Sequence, residues 1–284
     1  MPLKYPKVGE QNAIVKIGII DLHYFETNWM DTGLNDDIYL PRIYWTNSSN
    51  ELSIIRLNRL QNQLDFILAD TESGKSSIIL SESDTCWVDI EEKHAIFPEK
   101  ENEFLWVSER SGFRHIYLYD YSGKLVKQVT SGDWEVTSLE GYSESDQLVY
   151  FYGKKDSETE QHIYRIKSDG TGLEKITNEP GWNKANFSPG YKFFIHTYNG
   201  LTTPLKVYLR KTDGELVKTL KINNLAVFNE YDLSFPELGT FKTSDSVRLN
   251  YMIIKPQNFN PVSYTHLTLP TKIMWCGGGG GGGG

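Results

Sequence analysis

The sequence predicts an all-β fold built from repeated four-stranded units, that is, a partial β-propeller. A turn glycine recurs at intervals of 49, 47 and 44 residues, at Gly74, Gly123, Gly170 and Gly214. Strand-like runs rich in aromatic and β-branched residues flank each glycine, and none of these runs has the periodicity of a helix. Four short antiparallel strands in every ~40–50 residues are typical of a propeller blade.

The runs around each turn glycine give the order of strands within one repeat. The run just before the glycine begins at residue 64, 115, 162 or 206. An earlier run covers residues 104–108, 148–152 and 193–197 in three of the repeats. The run after the glycine covers residues 125–130, 173–177 and 216–220, and its alternation of apolar and polar residues predicts an outer strand with one wet face. Glycine suits the turn because it accepts a positive φ without steric cost.

A tryptophan marks the start of the next repeat at Trp87, Trp134 and Trp182. We expect each indole to fill the wedge between neighbouring blades, the alternative being an aromatic platform for a ligand. A flat β-sandwich is the competing all-β fold, but it does not account for a constant period or for the recurring tryptophan. The propeller is therefore the predicted architecture.

Composition excludes several classes of partner. The formal net charge of −8 disfavours nucleic acid and anionic membrane surfaces, which both require a basic face. No run of 18 apolar residues occurs, and the first residues lack the apolar stretch of a signal peptide. With only Cys86 and Cys276, no disulfide framework is expected, and Cys86 is predicted to be a small buried residue.

Four segments, in order along the chain, resemble the propeller of the dipeptidyl peptidase IV family and the start of its hydrolase domain. The first is the Tyr-Pro-Lys signature at residues 5–16, and the last is the run at residues 241–261. Between them lie two shorter motifs, Ser111-Gly112-Phe113-Arg114-His115-Ile116-Tyr117 and Gly132-Asp133-Trp134-Glu135-Val136. The resemblance runs over residues 4–261 and so covers most of the chain.

The resemblance implies a serine exopeptidase that releases N-terminal dipeptides, typically Xaa-Pro or Xaa-Ala. In that family an eight-bladed propeller caps a C-terminal α/β-hydrolase domain, and two glutamates of the propeller hold the substrate amine. Their motif precedes the Tyr-Pro-Lys signature and therefore falls outside this sequence. The resemblance implies no cofactor. The implied partners are a peptide substrate, the protein's own hydrolase domain and, as an open alternative, a second copy in a homodimer. The implied location is periplasmic or extracellular.

The domain boundaries follow from the repeat and the resemblance. Residues 1–234 are predicted to form about four blades plus a partial one near residues 15–21, and residues 235–261 the first strands of the hydrolase domain. Residues 262–284 resemble translated sequencing-adapter text followed by eight glycines, so we expect them to be disordered and foreign to the fold. Both ends therefore look cut. Expressed alone, such a half-ring is expected to aggregate or oligomerise.

The sequence offers no catalytic or metal-binding residue, and a substrate-binding residue cannot be assigned. The nucleophile elbow Gly-x-Ser-x-Gly is absent, and its nearest match, at residues 141–145, makes Ser143 a predicted loop residue. His115, His162 and His196 fall in repeat strands, whereas His94 is expected in a loop between blades. No His, Asp and Glu spacing indicates a metal site.

Two acidic segments are further candidates for a site. In some family members the stretch after the matching Trp87-Val88 carries a Phe-Arg pair near the substrate. Here that stretch reads Asp89-Ile90-Glu91-Glu92, so the contact is not conferred by the motif. Glu91 and Glu92 are predicted to be a solvated loop pair, and residues 156–160 an exposed hairpin loop.

A non-enzymatic propeller that serves as a binding scaffold is the alternative function. Residues 240–261 discriminate between the two, because a pure scaffold has no reason to continue into the first segment of a hydrolase domain.

Overall fold

The computed structural model of this chain describes residues 7, 9–99, 102–223, 226 and 230–260. Twenty β-strands and no α-helix occur in these residues, in agreement with the predicted all-β class. No helix in the described residues is long and apolar enough to cross a membrane. The strands form four four-stranded antiparallel sheets and two two-stranded ribbons.

The first ribbon and the first sheet precede residue 84. The ribbon pairs β1 (Gly18–Ile20) with β2 (Thr27–Trp29), at the place predicted for a partial blade. The sheet that follows has its strands side by side in chain order: β3 (Ile38–Trp45), β4 (Glu51–Asn58), β5 (Gln63–Asp70) and β6 (Ser76–Ser83).

Two further sheets repeat this up-and-down order. One contains β7 (Ala95–Ile96), β8 (Glu103–Ser108), β9 (His115–Asp120) and β10 (Leu125–Gln128). The next contains β11 (Val136–Ser143), β12 (Leu148–Gly153), β13 (His162–Lys167) and β14 (Glu174–Lys175). This meander of four strands is the topology of a propeller blade.

The last sheet and a separate hairpin complete the described strands. The sheet contains β15 (Trp182–Phe187), β16 (Phe193–Asn199), β17 (Lys206–Lys211) and β18 (Leu216–Ile222). The hairpin pairs β19 (Pro236–Lys242) with β20 (Arg248–Ile254) in continuous register, in the segment predicted to begin the hydrolase domain. Residues 261–284, which include the predicted foreign tail, lie outside the described residues.

The four turn glycines join the third and fourth strands of the four sheets, as predicted. Their φ angles are positive, at 70°, 80°, 80° and 95° for Gly74, Gly123, Gly170 and Gly214. A side chain at Gly123 would lie against the carbonyl oxygen of Ile79, so this glycine is required by space as well as by conformation.

The chain divides into two compact units, one holding β1–β10 and the other β11–β20. In the first unit, sheets β3–β6 and β7–β10 share an aromatic core that includes Phe66, Phe104, Trp106, Tyr117 and Tyr119. A second cluster packs the β1–β2 ribbon against the sheet β3–β6. In the second unit, sheets β11–β14 and β15–β18 share a core that includes Tyr150, Tyr152, Ile163, Ile176 and Phe194.

Three predictions about local packing are wrong. The alternation predicted for the outer strands fails most clearly in β18, which is exposed at every residue; β10 and β14 are exposed along nearly all their length, although Val129 and Ile176, near the ends of the predicted runs, are buried. The repeat at Trp87 does not open with a strand, because β7 is only two residues long and starts at Ala95. Cys86 is exposed in the irregular segment that precedes β7.

The tryptophans also depart from the predicted wedge. Trp134 is buried, but its ring lies over Phe151 and Tyr164 of the sheet that it precedes, at centroid distances of 6.1 and 6.2 Å. Trp87 and Trp182 are 51% and 40% exposed. A shared position in the repeat therefore does not give these three side chains a shared environment.

Candidate functional site

A depression of about 400 Å³ in the first unit is the candidate site. Its walls come from the end of β6, the irregular segment at residues 84–89, the end of β8 and the loop after β8. We call it the Trp87 depression, and its lining is Ser81, Glu82, Ser83, Asp84, Trp87, Val88, Asp89, Ser108, Glu109 and Arg110. Four carboxylates and one guanidinium therefore face the same cavity.

The segment at residues 84–89 presents Trp87 at this cavity through a local turn. The Oδ1 atom of Asp84 accepts hydrogen bonds from the backbone N–H groups of Cys86, at 2.7 Å, and Trp87, at 3.3 Å. Aspartate favours such a turn because its short side chain replaces a backbone acceptor. The next residue, Val88, is buried in the first unit's core, so the chain is anchored there while the indole of Trp87 stays half exposed.

Arg114 holds two walls of the depression together from a buried position. Its side chain is 9% exposed, and it contacts Asp89 at 2.5 Å, Glu109 at 2.9 Å and also Glu91. Burial lowers the pKa of Arg114, but the three carboxylates raise it by more, so the net shift is upward. The guanidinium is therefore permanently charged, and it fixes Asp89 relative to Glu109.

The prediction of a solvated Glu91-Glu92 pair is consequently half wrong. Glu91 is partly buried and forms an ion pair with Arg114, whereas Glu92 is exposed. The Ser111–Tyr117 motif contains Arg114, so the sequence does show the cation of this ion pair. It did not indicate which acids the arginine would contact.

Arg110 is the only cationic side chain in the lining of the Trp87 depression. Its Nη2 donates to Glu82 at 2.7 Å, and its Nε donates to Ser108 Oγ at 3.2 Å. The guanidinium lies over the rings of Tyr117 and Tyr119, with Cζ 5.2 and 5.3 Å from their centroids. Glu82 also accepts a hydrogen bond from Trp106 Nε1 at 3.0 Å.

The hydroxyl of Tyr119 is buried, with Arg110 over the tyrosine ring, and Tyr119 is not part of the lining of the depression. Burial raises the pKa of Tyr119 to about 12, while the nearby charge of Arg110 lowers it and that of Glu82 raises it. The phenol is therefore neutral, and its oxygen lies close to two charged groups that line the cavity.

His94, predicted in a loop between blades, does precede β7 without being part of a strand, but it is buried. Its ring meets Trp106 edge to face at a centroid distance of 4.4 Å, and its Nδ1 accepts the Glu91 N–H at 3.3 Å. Burial, reinforced by the charge of Arg114, lowers the pKa of His94 to about 3. The imidazole is therefore neutral at physiological pH, and its contacts are structural.

The three histidines predicted in strands, His115, His162 and His196, all lie in strands. His115 and His162 each approach the hydroxyl of a threonine, Thr130 at 3.1 Å and Thr177 at 3.3 Å, near the start of the third strand of their sheets. The same threonine oxygen accepts the N–H of the residue after each histidine. This repeated arrangement satisfies buried polar groups at the same place in two sheets.

His196 belongs to a buried polar cluster of the second unit. Its Nε2 lies 2.8 Å from Oδ1 of Asn183, whose amide nitrogen donates to the carbonyl oxygen of Gln161 at 2.9 Å. Burial lowers the pKa of His196 to about 4. The neutral ring therefore acts as a hydrogen-bonding group within the sheet.

Ser143 is a strand residue, and the prediction of a loop position is wrong. It ends β11 and is buried, and its Oγ bonds to Asp146 Oδ2 at 3.0 Å and lies 3.2 Å from Ser145 Oγ. These contacts belong to the turn between β11 and β12. They hold the hydroxyl within the hairpin and do not activate it.

The acidic loop at residues 156–160 lies between β12 and β13, as predicted, but its acids are paired. Asp156 contacts Lys175 at 2.6 Å, and Glu158 contacts Arg248 of the β19–β20 hairpin at 3.6 Å. In the residues that the structure describes, no group of three or more His, Cys, Asp or Glu side chains is placed to hold a metal ion.

Comparisons with known proteins agree with this architecture. The family model of the "Dipeptidyl peptidase IV (DPP IV) N-terminal region" matches residues 1–205. The crystal structure of Porphyromonas gingivalis dipeptidyl peptidase 4 superposes with a TM-score of 0.82 and 32% identity, covering 91% of this chain and 37% of that one. The likeness supports the propeller as the architecture to which the four sheets belong.

Curated relatives give the same result. Dipeptidyl peptidase 4 of Arthroderma otae is 26% identical over 272 residues, and that of Trichophyton tonsurans is 25% identical over 272 residues. Each alignment covers 92% of this chain and 35% of the relative, so the chain spans about a third of the length of these proteins. Because the family model covers well over half of the sequence, the chain belongs to the family of the dipeptidyl peptidase IV N-terminal region.

Proposed function

We propose that this chain is the propeller part of a serine exopeptidase that releases N-terminal dipeptides, Xaa-Pro or Xaa-Ala, from peptides. The observation that carries the proposal is the likeness to a solved dipeptidyl peptidase 4, which covers 91% of this chain and therefore continues well past the family model's end at residue 205. The β19–β20 hairpin lies in this later part of the chain. A scaffold without a hydrolase domain would have no need of this segment.

In this proposal the propeller controls which peptides reach a catalytic serine in another part of the whole protein. Its partners are the peptide substrate and the protein's own hydrolase domain, and a homodimer is compatible with both. The site of action is the periplasm or the extracellular space, where such peptides are available. None of the described residues needs to act as a nucleophile, which agrees with Ser143 being held inside a hairpin.

The test compares the intact protein with this chain on a chromogenic Xaa-Pro substrate. We expect the intact protein to release the chromophore, to be stopped by a serine-directed inhibitor, and to ignore the same substrate with an acetylated amine. This chain alone is expected to release none. Loss of hydrolysis in the intact protein would favour the binding scaffold, and inhibitor-sensitive hydrolysis by this chain would contradict the assignment of chemistry to another part.

A further inference from the structure

We infer that Asn199 is a site of spontaneous deamidation, a covalent modification that converts its side-chain amide into a carboxylate. Asn199-Gly200 is the single Asn-Gly pair in the sequence. Asparagine is among the thermolabile residues of proteins, and its reactivity depends on the next residue, because that residue supplies the attacking nitrogen. Glycine leaves this nitrogen uncrowded, since it has no side chain. The modification involves one loop and is independent of the proposed function.

The reaction needs only the chain and water. The main-chain nitrogen of Gly200 loses its proton to hydroxide and attacks the side-chain carbonyl carbon Cγ of Asn199. A bond forms between this nitrogen and Cγ, the bond from Cγ to Nδ2 breaks, and Nδ2 takes up a proton from water and leaves as ammonia. The product is a five-membered succinimide. Water then opens the ring at either carbonyl carbon, which gives an aspartyl residue or an isoaspartyl residue whose main chain runs through Cβ and Cγ.

The position of Asn199 in the fold leaves its amide accessible. Asn199 is the last residue of β16, and its exposed side chain makes no hydrogen bond to a described residue. Gly200 begins the loop before β17, and its N–H donates one hydrogen bond, to the carbonyl oxygen of Thr203 at 2.9 Å. Loops at the end of a strand pair are where local opening costs least. Each such opening frees the nitrogen of Gly200 to react.

Two other asparagines show what protects a side chain from this reaction. Asn47 is followed by a small residue, but its Nδ2 donates to the carbonyl oxygen of Pro98, which holds the amide in place. Asn186 is exposed like Asn199, but it lies within β15 and is followed by Phe187, whose side chain crowds the main-chain nitrogen. Asn199 has neither form of protection.

The isoaspartyl product fits poorly at the place where it forms. Asn199 pairs with Trp182 at the start of β15, and the two chains are in close contact there, because a side-chain carbon on Gly181 would lie 2.5 Å from the carbonyl oxygen of Asn199. The isoaspartyl residue adds one carbon to the main chain at this contact, which shifts the pairing of the strands. We therefore expect the modification to loosen the start of β15, where the carbonyl oxygen of Gly181 accepts a hydrogen bond from the N–H of Gln161 at 3.0 Å.

The experiment follows the asparagines of this chain by mass spectrometry of proteolytic peptides during incubation in mildly alkaline buffer. An isoaspartate-specific methyltransferase marks the isoaspartyl product. We expect Asn199 to lose its amide about tenfold faster than Asn186, the matched control at an exposed asparagine of the adjacent strand. Gly200→Ala is expected to slow the loss at Asn199 about tenfold, because the added methyl group crowds the attacking nitrogen. Circular dichroism confirms that the variant is folded.

A urea-unfolded sample of the same chain, incubated in parallel, shows that the conditions suffice for reaction at Asn199. An amide that survives at Asn199 in the folded chain while the unfolded sample loses it would overturn the inference, as would earlier loss at another asparagine of the folded chain.

Hydrogen exchange at the N–H of Gln161 measures the loosening of β15. The control is freshly prepared Asn199→Asp, which carries the new charge without the extra main-chain carbon. We expect faster exchange in the incubated chain than in this variant, and equal exchange would contradict the effect on β15. These measurements involve no peptide hydrolysis, so their outcome and that of the peptidase test are separate.

Discussion

The sheets β3–β6 and β15–β18 come from equivalent repeats but differ in how far they are buried. In β5 six consecutive residues are buried, whereas the equivalent β17 is only partly buried along its whole length. The reason is that sheet β3–β6 is covered twice, by the β7–β10 sheet and by the β1–β2 ribbon. Sheet β15–β18 contributes Phe187 and Phe194 to a core on one face. The residues of each repeat therefore determine its hairpins, whereas the neighbouring sheets determine how many of its strand residues are buried.

The largest expected effect is on the free energy of unfolding, when a buried side chain is removed from sheet β3–β6 and compared with a half-exposed one in sheet β15–β18. Phe66→Ala should lower the free energy of unfolding by about 4 kcal/mol, because the fully buried ring contacts Phe97, Phe104 and Trp106 and would leave a cavity. Phe193→Ala, at a ring that is 40% exposed in β16, should cost about 1 kcal/mol. Urea denaturation followed by circular dichroism measures both, and similar losses would contradict the comparison.

A smaller effect is expected at two glycines with positive φ, the turn residue Gly123 and the loop residue Gly172. Gly123→Ala should cost about 3 kcal/mol, because the new methyl group meets the carbonyl oxygen of Ile79 and the backbone conformation is also strained. Gly172→Ala should cost about 1 kcal/mol, since its φ is 67° but no atom lies within 4 Å of the added carbon. Thermal melting of the two variants tests whether close packing or φ alone dominates.

The smallest effect concerns pH, and it arises in both units. Folding depresses the pKa of His94 to about 3 and that of His196 to about 4, from an ordinary value of 6.5. The neutral rings therefore contribute stability that is fully present above pH 6.5 and is lost as the pH falls toward those lower values. Each proton taken up on unfolding costs about 1.4 kcal/mol per pH unit in this window.

We expect His94→Gln and His196→Gln each to reduce the slope of unfolding free energy against pH by about that amount between pH ~6 and ~4.5. Urea denaturation at a series of pH values gives the slope, and His23→Gln serves as the control at an exposed turn. An unchanged slope in either variant would show that the corresponding imidazole is not held neutral by burial.

Much of the fold followed from local sequence, and the reasons are physical. The runs before Gly74, Gly123, Gly170 and Gly214 became β5, β9, β13 and β17, because β-branched and aromatic residues next to a positive-φ turn favour a hairpin. Some errors concern strand bounds, as at Ser143, which ends β11, but most concern burial. Cys86 and Trp87 look apolar in sequence, yet the Asp84 turn leaves both exposed.

The candidate site was only partly visible in the sequence. Trp87 and Asp89 belong to a stretch that the family resemblance singles out, but Glu82 lies in β6, whereas Ser108 and Arg110 lie at the end of β8 and just after it. Nothing in the local sequence relates Glu82 to these two residues, since contacts between β6 and the loop after β8 form only when the two sheets pack. The burial of Tyr119 beside Arg110 likewise has no signature in sequence, because it depends on the groups that surround the ring.

The sequence by itself determined the repeat, the strand order and the turn positions, since these depend on residues close together in the chain. Only the tertiary structure decided which faces are buried, because burial depends on the sheet that packs alongside. It also decided that Arg114 contacts Asp89, Glu91 and Glu109 at once, and that Trp87 faces a cavity lined by carboxylates. The ion pairs of Arg114 join residues up to 25 positions apart in the chain. The energy of an ion pair depends on the distance between the charges in space, which only the folded structure determines.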